Sequence, residues 1–315
     1  MSTIAGITNF RRLAVLTTAM TYLLIFVGGL VRVAGAGLGC PDWPKCFGRW
    51  IPPLHIGQLP PEIDPATFNF TLAWIEYLNR LTGVGVGLLI AWLAVLSLIR
   101  MRAYPRILWP AIAAALLTAF QGWQGSVVVA SELEPVVVSV HMGVALIIVS
   151  LLVYLTVQAY RLEHPKVTDV GYPASLRLSI LVLWVFVMIQ VILGTQVRES
   201  LEILARRFPL LSDVELIARM GLVGWIHTLL GIFVAIGCWL VGLMVVNRSA
   251  QIDPLVSQGA WALAGLALIQ VILGLVLFAV GIPAVVQVMH MWIASMIAGL
   301  VLMLIALIKP TKETV

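Results

Sequence analysis

The chain has 315 residues, of which 61% are hydrophobic and only 10% charged, whereas a water-soluble domain carries about 25% charged residues. With a mean hydropathy of +1.06, an ordinary soluble fold is excluded and lipid becomes the main solvent. The net charge of +5 is small and sits near span ends, so it calls for no nucleic-acid partner.

Eight apolar runs follow one another, at roughly 13–34, 72–99, 107–129, 136–160, 176–198, 220–246, 257–280 and 284–308. Each is long enough as a helix to cross a hydrocarbon core of about 30 Å. Backbone groups in lipid must pair within their own segment, so the runs are expected as helices. The first follows Arg11 and Arg12 with no small-residue cleavage site at a suitable distance, so it is expected to stay as an anchor. Basic residues collect at one set of ends: Arg11, Arg12, Arg100, Arg102, Arg106, Arg161, Lys166, Arg177, Arg248, Lys309 and Lys312. These ends are expected in the cytoplasm. The longer segments 35–71 and 199–219 fall on the other side, on or near which lie ten of the fourteen acids. An even number of spans returns both termini to the cytoplasm, in a cell or inner membrane.

Cys40 and Cys46 lie within GLGCPDWPKCFG in the first outer segment. An oxidising outer side favours a disulfide there. A metal pair, free thiols or redox-active thiols are the other readings. Cys238 falls mid-span and reads as a small packing residue. Trp43, within PDWP, reads as a loop anchor, and His55 and His164 as solvated loop residues.

The chain repeats itself. Asn79 in span 2 stands opposite His227 in span 6, each followed four residues later by glycine, Gly83 and Gly231. Gln121 and Gly125 in span 3 match Gln270 and Gly274 in span 7, and His141 in span 4 matches His290 in span 8. The intervals agree: 20 residues from Gln121 to His141 and from Gln270 to His290, 62 from Asn79 to His141 and 63 from His227 to His290. More loosely, Arg32 matches Arg198. Such register predicts an all-α polytopic membrane protein made of two pseudo-symmetric four-helix bundles. The halves are 1–160 and 176–315, joined by the cytoplasmic linker 161–175, and are related by an axis along the membrane normal.

Ionisable side chains within a bilayer are functional candidates. Here they are Glu76, His141, His227 and His290, with Arg32, Arg80 and Arg198 near the outer helix ends. His227 and His290 can take both axial positions of a haem iron across one bundle, with Gly231 and Gly274 leaving room for the macrocycle. The bland alternative is a structural, hydrogen-bonded histidine pair. In the first half Asn79 replaces the expected histidine, and a carboxamide is a poor iron ligand, so His141 is its one strong ligand. Glu76, three residues before Asn79, shares its helix face. It reads either as a proton acceptor or water-orienting group or as a partner of Arg80 at the helix end. The three arginines suit haem propionates, or simply snorkel to the interface.

GGLVRVAGAGLGCPDWPKCFGRWIPP after the first span, WIEYLNRLTG opening the second, and histidines in spans 4, 6 and 8 resemble the haem A synthase family over nearly the whole chain. The resemblance implies an eight-helix oxidoreductase that converts haem O to haem A for haem-copper oxidases, oxidising the C8 methyl to a formyl. It implies haem b held by His227 and His290 in the C-terminal half, with Arg198 nearby. It implies haem O in the N-terminal half, with His141 as a ligand, Asn79, Arg32 and Arg80 around it, Glu76 as the acidic residue, and Cys40 and Cys46 as the first-loop pair. A homo-oligomer, of which a trimer is one candidate form, an electron acceptor and a haem O synthase are the implied partners. Asn79 departs from the family's usual histidine and leaves two readings: an open coordination site for chemistry, or a half that has lost the reaction. A second cysteine pair, found in some members in the third outer loop, is missing. A non-enzymatic b-type cytochrome and a haem carrier are the competing functions.

Overall fold

The structure is a computed structural model and describes residues 2–165, 171–247 and 253–310. Lys166, Arg248 and Lys312, used above for orientation, lie outside the described residues, and Lys309 is described for its backbone alone.

Eight long helices form where the apolar runs stand: α1 (Ser2–Val33), α2 (Phe70–Arg100), α3 (Pro105–Ala130), α4 (Pro135–Glu163), α5 (Ala174–Arg207), α7 (Gly221–Val246), α8 (Pro254–Val280) and α9 (Ala284–Leu307). Each is long and apolar enough to cross a membrane. The short α6 (Asp213–Ala218) precedes α7. Helix starts follow local chemistry. Asn69 caps α2 by accepting from the Leu72 N–H, and Glu134 and Asp253 do the same for α4 and α8, each followed by proline at the first helical position. Ser212 and Glu215 form a reciprocal capping box on α6.

One boundary departs from the sequence reading. The fifth run was expected to end near 198, but α5 continues to Arg207. Hydropathy falls once Arg198 and Glu199 arrive, yet VRESLEILARR contains no glycine or proline to stop a helix. Much of the 199–219 segment is therefore helix, in α5 and α6.

The helices pack as two rings with the same neighbour order. In one, α1 touches α2, α2 touches α3, α3 touches α4 and α4 closes onto α1; in the other, α5, α7, α8 and α9 do likewise. Each ring has its own apolar core, around Ile90, Leu93, Leu152 and Leu155 in the first and Ile180, Cys238, Leu263 and Leu304 in the second. The rings meet where α9 lies against α1 and α4. Small residues permit that approach: a side-chain carbon at Gly299 would collide with the Tyr22 hydroxyl, and one at Gly29 with Met291. Trp292 donates its indole N–H to the Tyr22 carbonyl at 2.9 Å, and its ring lies 5.1 Å from that of Phe26. A short parallel pair, β1 (Gly171–Tyr172) with β2 (Lys309–Pro310), ties the end of the linker to the end of α9.

Between α1 and α2 the chain forms a compact lobe. Cys40 and Cys46 are joined by a disulfide, Cα atoms 4.7 Å apart. The Asp42 carboxylate accepts from the backbone N–H groups of Phe47, at 2.5 Å, and Gly48, at 2.9 Å, both at positive φ. Phe47 is buried against Phe68, Leu59 and Ile63. Gly39 lets the lobe rest on α2, since any side chain there would strike the Leu72 carbonyl.

Candidate functional site

His227 on α7 and His290 on α9 come from diagonal helices of the second ring and face each other, ring centroids 6.4 Å apart and planes tilted by 60°. A metal–imidazole bond is about 2 Å and a ring centroid lies about 1 Å behind its ligating nitrogen, so two imidazoles on opposite sides of one metal sit about 6 Å apart. The observed spacing fits one iron between them. Nδ1 of His290 is buried with no hydrogen-bond partner among the described residues.

Two glycines shape this pair. A Cβ on Gly194 would stand 3.2 Å from Cε1 of His227, and one on Gly274 would stand 3.4 Å from Cε1 of His290. Gln190 on α5 donates Nε2 to the His227 carbonyl at 2.9 Å and lies 3.1 Å from Nδ1 of the ring. A Cβ on Gly231 would meet that amide at 2.9 Å. Gln190 and Gly194 escaped the sequence reading, although a signal was there: the hexapeptide IQVILG occurs at 189–194 and again at 269–274. Its glutamine and glycine stand four apart, as Gln121 and Gly125 do, and in both copies the glycine abuts a histidine.

The first ring has the same parts with less filling. His141 on α4 and Asn79 on α2 occupy the diagonal helices. Gln121 donates to the His141 carbonyl at 2.8 Å, and Nδ1 of His141 is buried without a partner among the described residues. Asn79 makes no side-chain hydrogen bond to any described residue. Gly28, Gly83 and Gly125 take the places of Gly194, Gly231 and Gly274. A side-chain carbon on any of the three would meet nothing within 4 Å. Where the second ring closes on its histidines, the first stays open.

Glu76 is buried and holds Arg80, Oε1 to Nε at 2.9 Å. Arg80 also donates to the carbonyls of Asp42 at 2.7 Å, Lys45 at 3.0 Å and Cys40 at 3.1 Å. Its fork is largely spent on pinning the disulfide lobe to α2, which favours the helix-end pairing over a free Glu76 in the structure as it stands. Arg32 and Arg198 converge instead on Glu202, at 3.5 and 2.7 Å. His55 is exposed, as expected. His164 is not simply solvated, because it caps α4 and stacks on Tyr160 with centroids 4.4 Å apart. Trp43 is exposed on the lobe.

Comparison with known proteins adds a family. The model of the COX15-CtaA family, described as cytochrome oxidase assembly protein, matches residues 11–302. A heme A synthase of Shewanella oneidensis is 34% identical over 155 residues, 47% of this chain and 45% of that protein. One from Shouchella clausii is 29% identical over 159 residues, 50% of this chain and 48% of its own length. The match to these two spans about half their length. A heme A synthase of Wolbachia pipientis aligns more broadly, at 22% identity over 90% of this chain and 88% of the relative.

Proposed function

Because this chain belongs to the COX15-CtaA family, we propose that it is a haem A synthase, oxidising the C8 methyl of haem O to a formyl group and yielding haem A for haem-copper oxidases. The observation that carries this reading is the asymmetry between two like-built rings: one closes two imidazoles to the spacing of a single iron, and the other, with a single histidine, leaves open space at the three matching glycines.

In this reading the halves are products of duplication, and His227 and His290 hold haem b. That group would supply electron-transfer chemistry when bound. The residues around it keep it in place. Gln190 fixes the backbone of His227, and Gly194 and Gly274 let the imidazoles stand close to α5 and α8. Haem O is the substrate of the first half, where His141 would hold the iron and Asn79 offers no second imidazole. Methyl oxidation proceeds by two hydroxylations, each taking its oxygen from water, passing an electron pair to an external electron acceptor and releasing two protons, and the hydrated aldehyde then loses water.

Glu76 is the acid nearest Asn79 along the helix and the group assigned to take up those protons. Arg80 holds its carboxylate ready through one oxygen, while the disulfide lobe closes over that end of α2. The lobe end faces the oxidising side, both termini face the cytoplasm, and the assembly is a homo-oligomer supplied by a haem O synthase.

Expression beside a haem O source, followed by haem extraction and mass identification, tests the proposal. Haem A or hydroxylated haem O should accumulate. Folded, haem-loaded protein that leaves haem O unchanged would refute it and leave the b-type cytochrome. Glu76→Gln separates the same two readings, since only an enzyme loses turnover while its bis-imidazole spectrum survives.

A further inference from the structure

At the lobe end, α1 and α5 bring one arginine from each ring to a single acceptor. Arg32 Nη2 lies 3.5 Å and Arg198 Nε 2.7 Å from the same oxygen, Oε1 of Glu202. Each arginine also contacts the histidine-bearing helix at the ring contact, Arg32 on α4 and Arg198 on α9. Arg32 Nη1 contacts Sδ of Met142 at 3.5 Å, next in sequence to His141. Arg198 Nη1 donates to Oε1 of Gln287, which stands three residues before His290 and so on the same face of α9. Contacts thus run from Met142 on α4 through Arg32, Glu202 and Arg198 to Gln287 on α9, joining the helices that carry His141 and His290. The rings are also tied here by Ser139 and Thr195, hydroxyls 3.1 Å apart. Glu199, one residue after Arg198, has Oε2 buried with no hydrogen-bond partner among the described residues.

We propose that Glu202 is a shared counter-ion that couples the occupancy of one haem site to the electron affinity of the other. This rests on the functional reading above. A guanidinium prefers a bidentate carboxylate to a single shared oxygen. A porphyrin propionate arriving at Arg32 therefore displaces Glu202, which is left to Arg198 alone. No longer sharing that carboxylate, Arg198 is fully neutralised by it, and the positive charge it lends the His227–His290 site is lost, which disfavours the reduced state there. Linkage requires the reverse as well: the oxidised second site binds the propionate-bearing substrate more tightly than the reduced one. Substrate is thus held best when an electron acceptor is ready. Glu202 touches neither iron and acts as a positioning residue through the two arginines.

The test uses the full chain carrying its second-half haem, with zinc protoporphyrin as a redox-silent occupant of the first half. Its fluorescence reports loading, and the bis-imidazole absorbance reports the midpoint potential. Loading should lower the midpoint in wild type, and the zinc protoporphyrin Kd should be smaller for the oxidised protein by the matching factor. The dimethyl ester, which lacks propionate charge, should do neither. In Glu202→Gln the shift should fall below half of the wild-type value with the absorbance bands unchanged. Glu202→Asp, which keeps the charge on a shorter arm, should retain an intermediate shift. An equal shift in wild type and Glu202→Gln, or no shift in wild type, overturns the coupling while leaving the enzyme reading intact. A preparation with no bis-imidazole haem at all refutes the functional reading and the coupling with it.

Discussion

Arg80 offers the sharpest test of how the lobe and the candidate site are joined. Its side chain is 13% exposed and that of Glu76 8%, so water screens the pair little. Arg80→Met keeps most of the stem volume but strands the Glu76 carboxylate and leaves the carbonyls of Cys40, Asp42 and Lys45 without their donor. Removing one partner of a buried pair costs about 3–5 kcal/mol; the carbonyl losses belong to the same network and are not added on top. Adding Glu76→Gln removes the stranded charge, so the double variant should regain on the order of 1–2 kcal/mol. Unfolding by denaturant in mixed micelles measures both, and proteolysis of the 41–71 segment should report the lobe's release in both variants, since each lacks the Arg80 donors. A cost below about 1 kcal/mol, the value for an exposed pair, combined with loss of haem from the first half, would refute the structural role and make Arg80 a propionate holder.

Three further outcomes follow from the same geometry. Gly194→Val places carbon where Cβ alone is already 3.2 Å from the His227 ring; overpacking of about 1–3 kcal/mol should weaken haem binding in the second half by roughly 5- to 140-fold, read by haem titration, with the first half unaffected. Asn79→His supplies a second imidazole one turn from the open space at Gly83, so substrate haem should turn six-coordinate and low-spin by absorbance. At α6, hydrogen bonds from the Ser212 hydroxyl and backbone N–H hold the Glu215 carboxyl below its ordinary range. The depressed value means the cap's contribution is complete above the ordinary carboxylate range and is lost as pH falls through the lowered one. Hydrogen-exchange protection of α6 should therefore decline only on acidification, and Ser212→Ala, which removes the hydroxyl but keeps the backbone N–H bond, should reduce that dependence.

Much of the architecture was legible because lipid simplifies the problem. Backbone pairing forces helices, so eight apolar runs become the eight long helices, and matching intervals around His141 and His290 marked two sets of four. The boundary of α5 was not legible, because hydropathy marks where lipid ends and not where a helix does; nothing in VRESLEILARR breaks one. Gln190 and Gly194 were recoverable from the doubled IQVILG, yet their contact with His227 needs the α5–α7 crossing to be seen. The residue types of the candidate site thus belong to the sequence by itself: histidines, an asparagine in place of one, a buried acid and three arginines, each too expensive in a membrane to be incidental. Their partners were decided by tertiary structure. Arg80 turned to the lobe carbonyls and Glu76, while Arg32 and Arg198, 166 positions apart, met at one oxygen of Glu202. Charge type is written in the chain, but which charges meet depends on helix ends brought together across two rings, and no spacing along one helix encodes that.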